Sequence, residues 1–156
     1  RDRAFLPQLQ ASNGHLVNIS SLFGLVGVPT QSAYNAAKFA VRGFTEALRL
    51  EMQGTGVHVC CVHPGGIDTH IARSARTSGN DISAEERAAE FKKVARTSPE
   101  QAAAEIVKAV EKRRERLLIG ADAKYISFIS RLFPVSFYRL IPGAGGLLEI
   151  GNNVDK

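Results

Sequence analysis

The 156-residue chain has only two cysteines, and they are neighbours, Cys60 and Cys61. Successive strand side chains point to opposite faces, so the two are badly placed to bridge. No CxxC or Cys/His spacing of the kind that holds a metal is present. A disulfide scaffold and a metal module are therefore not expected, and two buried free thiols fit a reducing, cytoplasmic compartment. Long apolar runs are missing too. The most apolar stretch, Tyr125 to Val135, is interrupted by Arg131 and Pro134 and is too short to span a bilayer, so membrane contact is not expected. There is no internal repeat and no low-complexity tract. The chain has no initiator Met and no secretory n-region; Arg1 to Leu9 reads like the end of a helix already under way. The expectation is a chain truncated at its N-terminus. Charge is spread out despite a net +5. The one basic cluster, Lys112-Arg113-Arg114-Glu115-Arg116, falls at a helix C-terminus, where cations suit the macrodipole. It reads as a solvated helix end, and no nucleic-acid partner is expected.

What is present describes one α/β domain. The apolar fraction of 44% and charged fraction of 22% are ordinary for a globular protein with a core. His15 to Ser20 and Val57 to Val62 are short apolar runs that read as buried strands. Between them, Ala37, Ala40, Val41, Phe44, Ala47, Leu48 and Met52 form an apolar stripe at helical spacing. It predicts a helix from about Ala33 to Gln53, with Ser32 as its cap. Strand, long helix and strand in this order predict a parallel pair covered on both faces. Ser98-Pro99-Glu100-Gln101 carries a capping-box pattern and opens a helix running to about Arg114. Arg116 to Gly120 reads as a third strand. Residues 70–97 read as a polar, partly helical lobe over the substrate site, and the Gly-rich residues 142–156 as a flexible tail.

Tyr34 and Lys38 are four residues apart at the start of the long helix, so they share a face. A phenol is a poor acid/base at neutral pH, but a nearby cation favours its phenolate. Thirteen residues earlier, Ser21 follows the first strand and offers a hydroxyl that can polarise a carbonyl. Together the three suit proton transfer between an alcohol and a carbonyl. His63-Pro64-Gly65-Gly66-Ile67-Asp68-Thr69 leaves the carboxyl end of the second strand, where open α/β sheets bind ligands. Each residue has a plainer reading: Tyr34 as a packed aromatic, Lys38 as a surface charge, Ser21 as a loop start, Thr69 as a helix cap. His63 is not needed for catalysis, because the Tyr/Lys pair already moves protons.

Four features occur in order: Asn18-Ile19-Ser20-Ser21, the Tyr34/Lys38 pair, Pro64-Gly65 after the following strand, and Thr69 beyond it. In this the chain resembles the C-terminal part of a short-chain dehydrogenase/reductase. The resemblance implies the last three strands and associated helices of a partial Rossmann-like, doubly wound parallel sheet. Residues 1–141 would then belong to one NAD(P)-binding domain whose N-terminal half is absent. It also implies roles. Tyr34 would exchange a proton with the substrate oxygen. Lys38 would depress the Tyr34 pKa and hydrogen-bond the nicotinamide ribose. Ser21, rather than Ser20, would hold and polarise the substrate. Pro64, Gly65, Ile67 and Thr69 would line the nicotinamide. The cofactor would be NAD or NADP, the substrate a small alcohol or carbonyl compound, and the assembly a homodimer or homotetramer.

The departure from the family is the glycine-rich turn after a first strand, which would cradle the pyrophosphate. Gly143-Ala144-Gly145-Gly146 has no buried strand before it and is rejected for that role. The isolated chain is therefore expected to be inactive. Leu22, Phe23, Leu25 and Val26, close to Ser21, suggest an apolar substrate. The alternative function is a non-catalytic oligomerisation or binding module built on the same fold.

Overall fold

The structure, a computed structural model, describes residues 2–29, 31–68 and 97–141. Helix α1, Asp2–Ala11, opens the described chain. It ends at Asn13, whose φ of 49° starts the Asn-Gly turn into strand β1, His15–Ile19. A 3-10 turn, Leu22–Gly24, leads to the long helix α2, Ser32–Glu51, and then to strand β2, His58–Pro64. Beyond residue 96 come helix α3 (Pro99–Glu111), strand β3 (Arg116–Ile119), helix α4 (Ala121–Leu132) and a second 3-10 turn, Phe137–Leu140.

The three strands form one parallel sheet in the order β1-β2-β3. This is the expected α/β, Rossmann-like architecture. Residues paired in register point to the same face, and the register therefore sorts the core. Val62 and Leu117 are partners and lie with Cys60 and Ile119 against Ala102 and Ala109 of α3. On the other face, Val59 packs with Leu48 of α2 and with Leu6 and Leu9 of α1, while Leu118 meets Ala123 and Ile126 of α4. Val62 and Ile119 are fully buried. Their near-continuous apolar runs follow from helices covering both sides.

The capping box at α3 is complete. Ser98 Oγ accepts from the Gln101 N–H, and Gln101 Oε1 accepts from the Ser98 N–H. At α2 the expectation needs correcting. The helix includes Ser32, its cap residue is Gln31, and no side chain caps it. Helix α4 was not anticipated, because Arg131 and Pro134 break up its apolar pattern. Asn35, Thr45 and Leu48 are the buried residues of α2, and two of the three are polar. Thr45 accepts from Asn18 Nδ2 at 3.1 Å, tying α2 to β1.

The basic cluster is only partly a solvated helix end. Residues 112–115 are exposed, but Arg116 begins β3 and is half-buried. Cys60 and Cys61 are both buried and free. Burial pushes the Cys60 thiol up to about 11 and also raises Cys61. Both are inert thiols. No helix among the described residues is long and apolar enough to cross a membrane. Of residues 70–97, expected to form a lobe, only Thr97 is described, and the expected tail, 142–156, lies outside the described residues.

Candidate active site

The candidate residues gather where the strands end. Chain continuity puts Ser20 and Ser21 beyond β1, His63 to Ile67 at the end of β2, and Gly120 beyond β3. The two serines separate in role. Ser20 is buried, and its hydroxyl donates to the Lys38 carbonyl at 2.8 Å. Ser21 is half-buried and caps the 3-10 turn, its Oγ accepting from the Phe23 N–H at 3.1 Å. The turn lies so close to α2 that a Cβ on Gly24 would overlap Ser20 Oγ and come within 2.8 Å of the Lys38 carbonyl oxygen.

Tyr34 sits in the first turn of α2 and Lys38 one turn later. Lys38 Nζ lies 5.6 Å from the Tyr34 ring centroid and donates to the Ile19 carbonyl at 3.2 Å. An ammonium carries three N–H donors, so donors remain for a ligand. Tyr34 is 43% exposed, and Phe23 meets its ring edge-on at 6.2 Å. The structure thus brings Tyr34, Lys38 and the backbone next to Ser21 into one neighbourhood.

Three residues that sequence reasoning did not put in the site hold it together. Asn35 is buried and binds the segment after Ser21 three times. Its Nδ2 donates to the carbonyls of Phe23 (2.7 Å) and Val26 (2.9 Å), and its Oδ1 accepts from the Val28 N–H (3.2 Å). His63 is fully buried, and its Nδ1 lies 3.0 Å from the Ser21 carbonyl. A carbonyl can only accept, so the proton belongs on Nδ1. Burial pushes the His63 imidazole down to about 4. It is a neutral prop for Ser21 rather than a proton carrier.

The third is Asp122, in the first turn of α4. Its Oδ2 accepts from the Gly66 N–H at 2.8 Å, and the Gly65 N–H donates to the Ile119 carbonyl at 2.9 Å. A Cβ on Gly65 would overlap the Asp122 carboxylate, so the close approach requires glycine. Ile67 forms a parallel bridge with Thr97, and the Asp68 N–H donates to the Thr97 carbonyl at 3.1 Å. Pro64 ends β2 opposite Ile119, and Gly65 and Ile67 follow it in a loop clamped from both sides. Thr69 lies outside the described residues. Sequence signals for these anchors were faint. Asn35 is a polar residue beside Tyr34 on an amphipathic helix, and Asp122 falls in a stretch where no helix was expected.

The remaining Leu22 and Val26 point to packing. Both are buried in a cluster with Ala123 of α4, so their apolar character is accounted for by the core. Among the described residues no group of His, Cys, Asp and Glu could hold a metal ion.

Comparison with known proteins speaks to the family and the fold. The profile of the family described as short chain dehydrogenase matches residues 2–80. SadH of Mycobacterium tuberculosis (strain ATCC 25618 / H37Rv), an oxidoreductase by name, is 52% identical over 144 residues, covering 89% of this chain. The chain spans about half (51%) of the length of that curated relative. A short chain dehydrogenase from Burkholderia cenocepacia, solved in complex with NADP, superposes with a TM-score of 0.65 at 26% identity. That match covers 83% of this chain and 47% of the other. A short-chain dehydrogenase from Streptomyces avermitilis gives a TM-score of 0.66 at 28% identity, covering 98% and 57%.

Proposed function

The chain belongs to the short-chain dehydrogenase family, and from that premise we propose that it carries the catalytic part of an oxidoreductase using NAD or NADP. The reaction is hydride transfer between the cofactor and an alcohol or carbonyl compound. The observation that carries the reading is the Tyr34/Lys38 pair, with Lys38 Nζ 5.6 Å from the phenol ring centroid and anchored on the carbonyl of Ile19, two residues before Ser21.

The donor set suits a dinucleotide. Lys38 keeps free N–H donors for ribose hydroxyls, and the clamped residues Pro64, Gly65 and Ile67 would line the nicotinamide, with Thr69 beyond them. When bound, the nicotinamide supplies the hydride chemistry. Tyr34 exchanges the proton with the substrate oxygen. Lys38 places its ammonium over the Tyr34 ring, 5.6 Å from the centroid. Ser21 holds and polarises the substrate oxygen. His63 and Asn35 fix the backbone from which Ser21 acts.

The substrate is apolar in this reading, an inference that rests on Phe23 beside the exposed Tyr34 ring. Residues 70–97 form its lobe, residues 1–141 are the C-terminal part of one cofactor-binding domain, and residues 142–156 are a tail. The assembly is a homodimer or homotetramer, and the reduced thiols suit the cytoplasm. Alone, the 156 residues do not turn over substrate. The outer edge of β1 has no neighbouring strand among the described residues, and Ile19 is 46% exposed.

A second reading has its own support. Phe39, Phe44 and Leu50 are exposed along α2, which suits a non-catalytic oligomerisation module. Tyr34→Phe in the complete protein decides between them, because it keeps the ring and removes the proton. Catalysis predicts a loss in kcat of roughly 10²- to 10⁴-fold with unchanged oligomeric state; unchanged turnover sinks the catalytic reading.

A further inference from the structure

A cavity of about 450 Å³ opens between the Leu25–Gly27 segment, α2, the first residue of β3 and α4. Ser21, Tyr34 and Lys38 do not line it. Its walls combine two chemistries. Leu25, Phe39 and Phe137 form an apolar side, and Arg42, Arg116 and Arg131 bring three guanidinium groups to the same space.

The placement of Arg116 follows from the sheet. Leu117 and Ile119 face α3, so the alternation sends Arg116 to the opposite face, beside its register partner Cys61 and under α2 and α4. Its Nε is buried and has no hydrogen-bond partner among the described residues. Burial, and then the charge of Arg42, lower its pKa. Of the three, Arg42 alone has a carboxylate partner among the described residues, Glu46 at 3.0 Å. Neither Arg116 nor Arg131 forms an ion pair among the described residues. Three cations answered by one carboxylate repel each other, most strongly where water is excluded. An entering anion offsets that repulsion, and guanidinium forks match carboxylate and phosphate oxygens. The volume falls in the range of small-molecule sites, whose usual composition is apolar walls with a few converging polar groups.

We infer that this cavity binds an anionic amphiphile, a carboxylate or phosphate head seated among Arg42, Arg116 and Arg131 with its apolar stem against Phe39 and Phe137. Ser127 and Ser130 also line the cavity, the Ser130 hydroxyl donating to the Ser127 carbonyl at 3.2 Å. The site is separate from the redox reading and stands or falls without it.

The test is isothermal titration of the complete protein with octanoate, octyl phosphate and inorganic phosphate at fixed ionic strength. At least one octyl compound is expected to bind one-to-one, at least tenfold more tightly than inorganic phosphate. The stronger of the two octyl probes identifies the head group. Arg116→Gln with Arg131→Gln should weaken that binding at least tenfold, and Arg114→Gln, at the exposed helix end, should leave it unchanged. Should the double variant fail to fold, Arg131→Gln alone, at an exposed position, is expected to weaken binding several-fold. No binding by either octyl compound, equal binding by inorganic phosphate, or equal binding in the arginine variants overturns the inference.

Discussion

Replacing Asn35 by Ala tests whether the segment after Ser21 is held from α2. The side chain makes three hydrogen bonds to that segment, to Phe23, Val26 and Val28, at 2.7, 2.9 and 3.2 Å. Asn35 is 8% exposed, so water replaces these bonds poorly. At a net of about 0.5–1.5 kcal/mol for each bond, Asn35→Ala should cost roughly 2–4 kcal/mol. Urea unfolding of the complete protein reads that as a lower midpoint at unchanged slope. Because the same segment carries the turn capped by Ser21, kcat should fall at least tenfold while the affinity for the dinucleotide changes little. Asn35→Asp sharpens the test. It keeps the shape and the acceptor for the Val28 N–H, but at neutral pH it turns a carboxylate oxygen toward two carbonyls. It should be at least as damaging as Ala at neutral pH. It should recover partly as pH falls, because a protonated carboxyl regains one donor. An Asn35→Ala protein within about 0.5 kcal/mol of wild type, with normal kcat, would refute the anchoring argument.

Other outcomes follow from the remaining contacts. His63 titrates at about 4 when folded and near 6.5 when unfolded, so the unfolded state binds the extra proton between those values. Its contribution is fully present above pH 6.5 and is lost as pH falls toward 4, on the order of 3 kcal/mol in all. A His63→Asn protein should show a shallower stability slope over that window, and an identical slope would contradict the assignment. Gly65→Ala should cost about 1–3 kcal/mol and weaken dinucleotide binding, because its Cβ meets the Asp122 carboxylate. In an Asp122→Ala background the same change should cost less, and strict additivity in that double-mutant cycle would count against the clamp. Ser98→Ala removes half of the capping box and should lower stability by about 1 kcal/mol, with activity unchanged, in thermal unfolding and turnover assays.

Local signals carried most of the fold. The capping box at Ser98 and the three apolar strand runs involve residues a few positions apart, and each formed the expected element. The Tyr34/Lys38 neighbourhood was legible for the same reason, since i and i+4 meet on any helix. Ser32 shows the limit of such signals. Serine is a good cap residue, yet the helix starts at Ser32 itself and no side chain caps it. Helix α4 was hidden because its apolar residues serve two surroundings. Ala123 and Ile129 are buried, while Tyr125, Phe128 and Leu132 are exposed, which blurs the stripe that marks a one-sided helix.

The illegible part of the site has one physical character. His63 reaches Ser21 across 42 positions, Asp122 reaches Gly66 across 56, and Lys38 reaches Ile19 across 19. Each is a polar side chain satisfying a backbone group at a strand end. Such groups must be satisfied when buried, but the sequence does not say which distant side chain will do it. The parallel register answers that question. By aligning Ile19 with Val62, and Val62 with Leu117, it brings the carboxyl ends of β1, β2 and β3 to one side of the sheet. Once they are together, the residues at and beyond each strand end have few partners other than one another. Ser21, past β1, finds His63, the penultimate residue of β2, and Gly66 finds Asp122 at the start of the helix after β3. The chemistry assigned to Tyr34 and Lys38 therefore depends on strand pairing as much as on their own helix. A substitution that shifts β2 against β3 by one residue would dismantle the clamp on Pro64–Ile67 while leaving the Tyr34/Lys38 spacing intact.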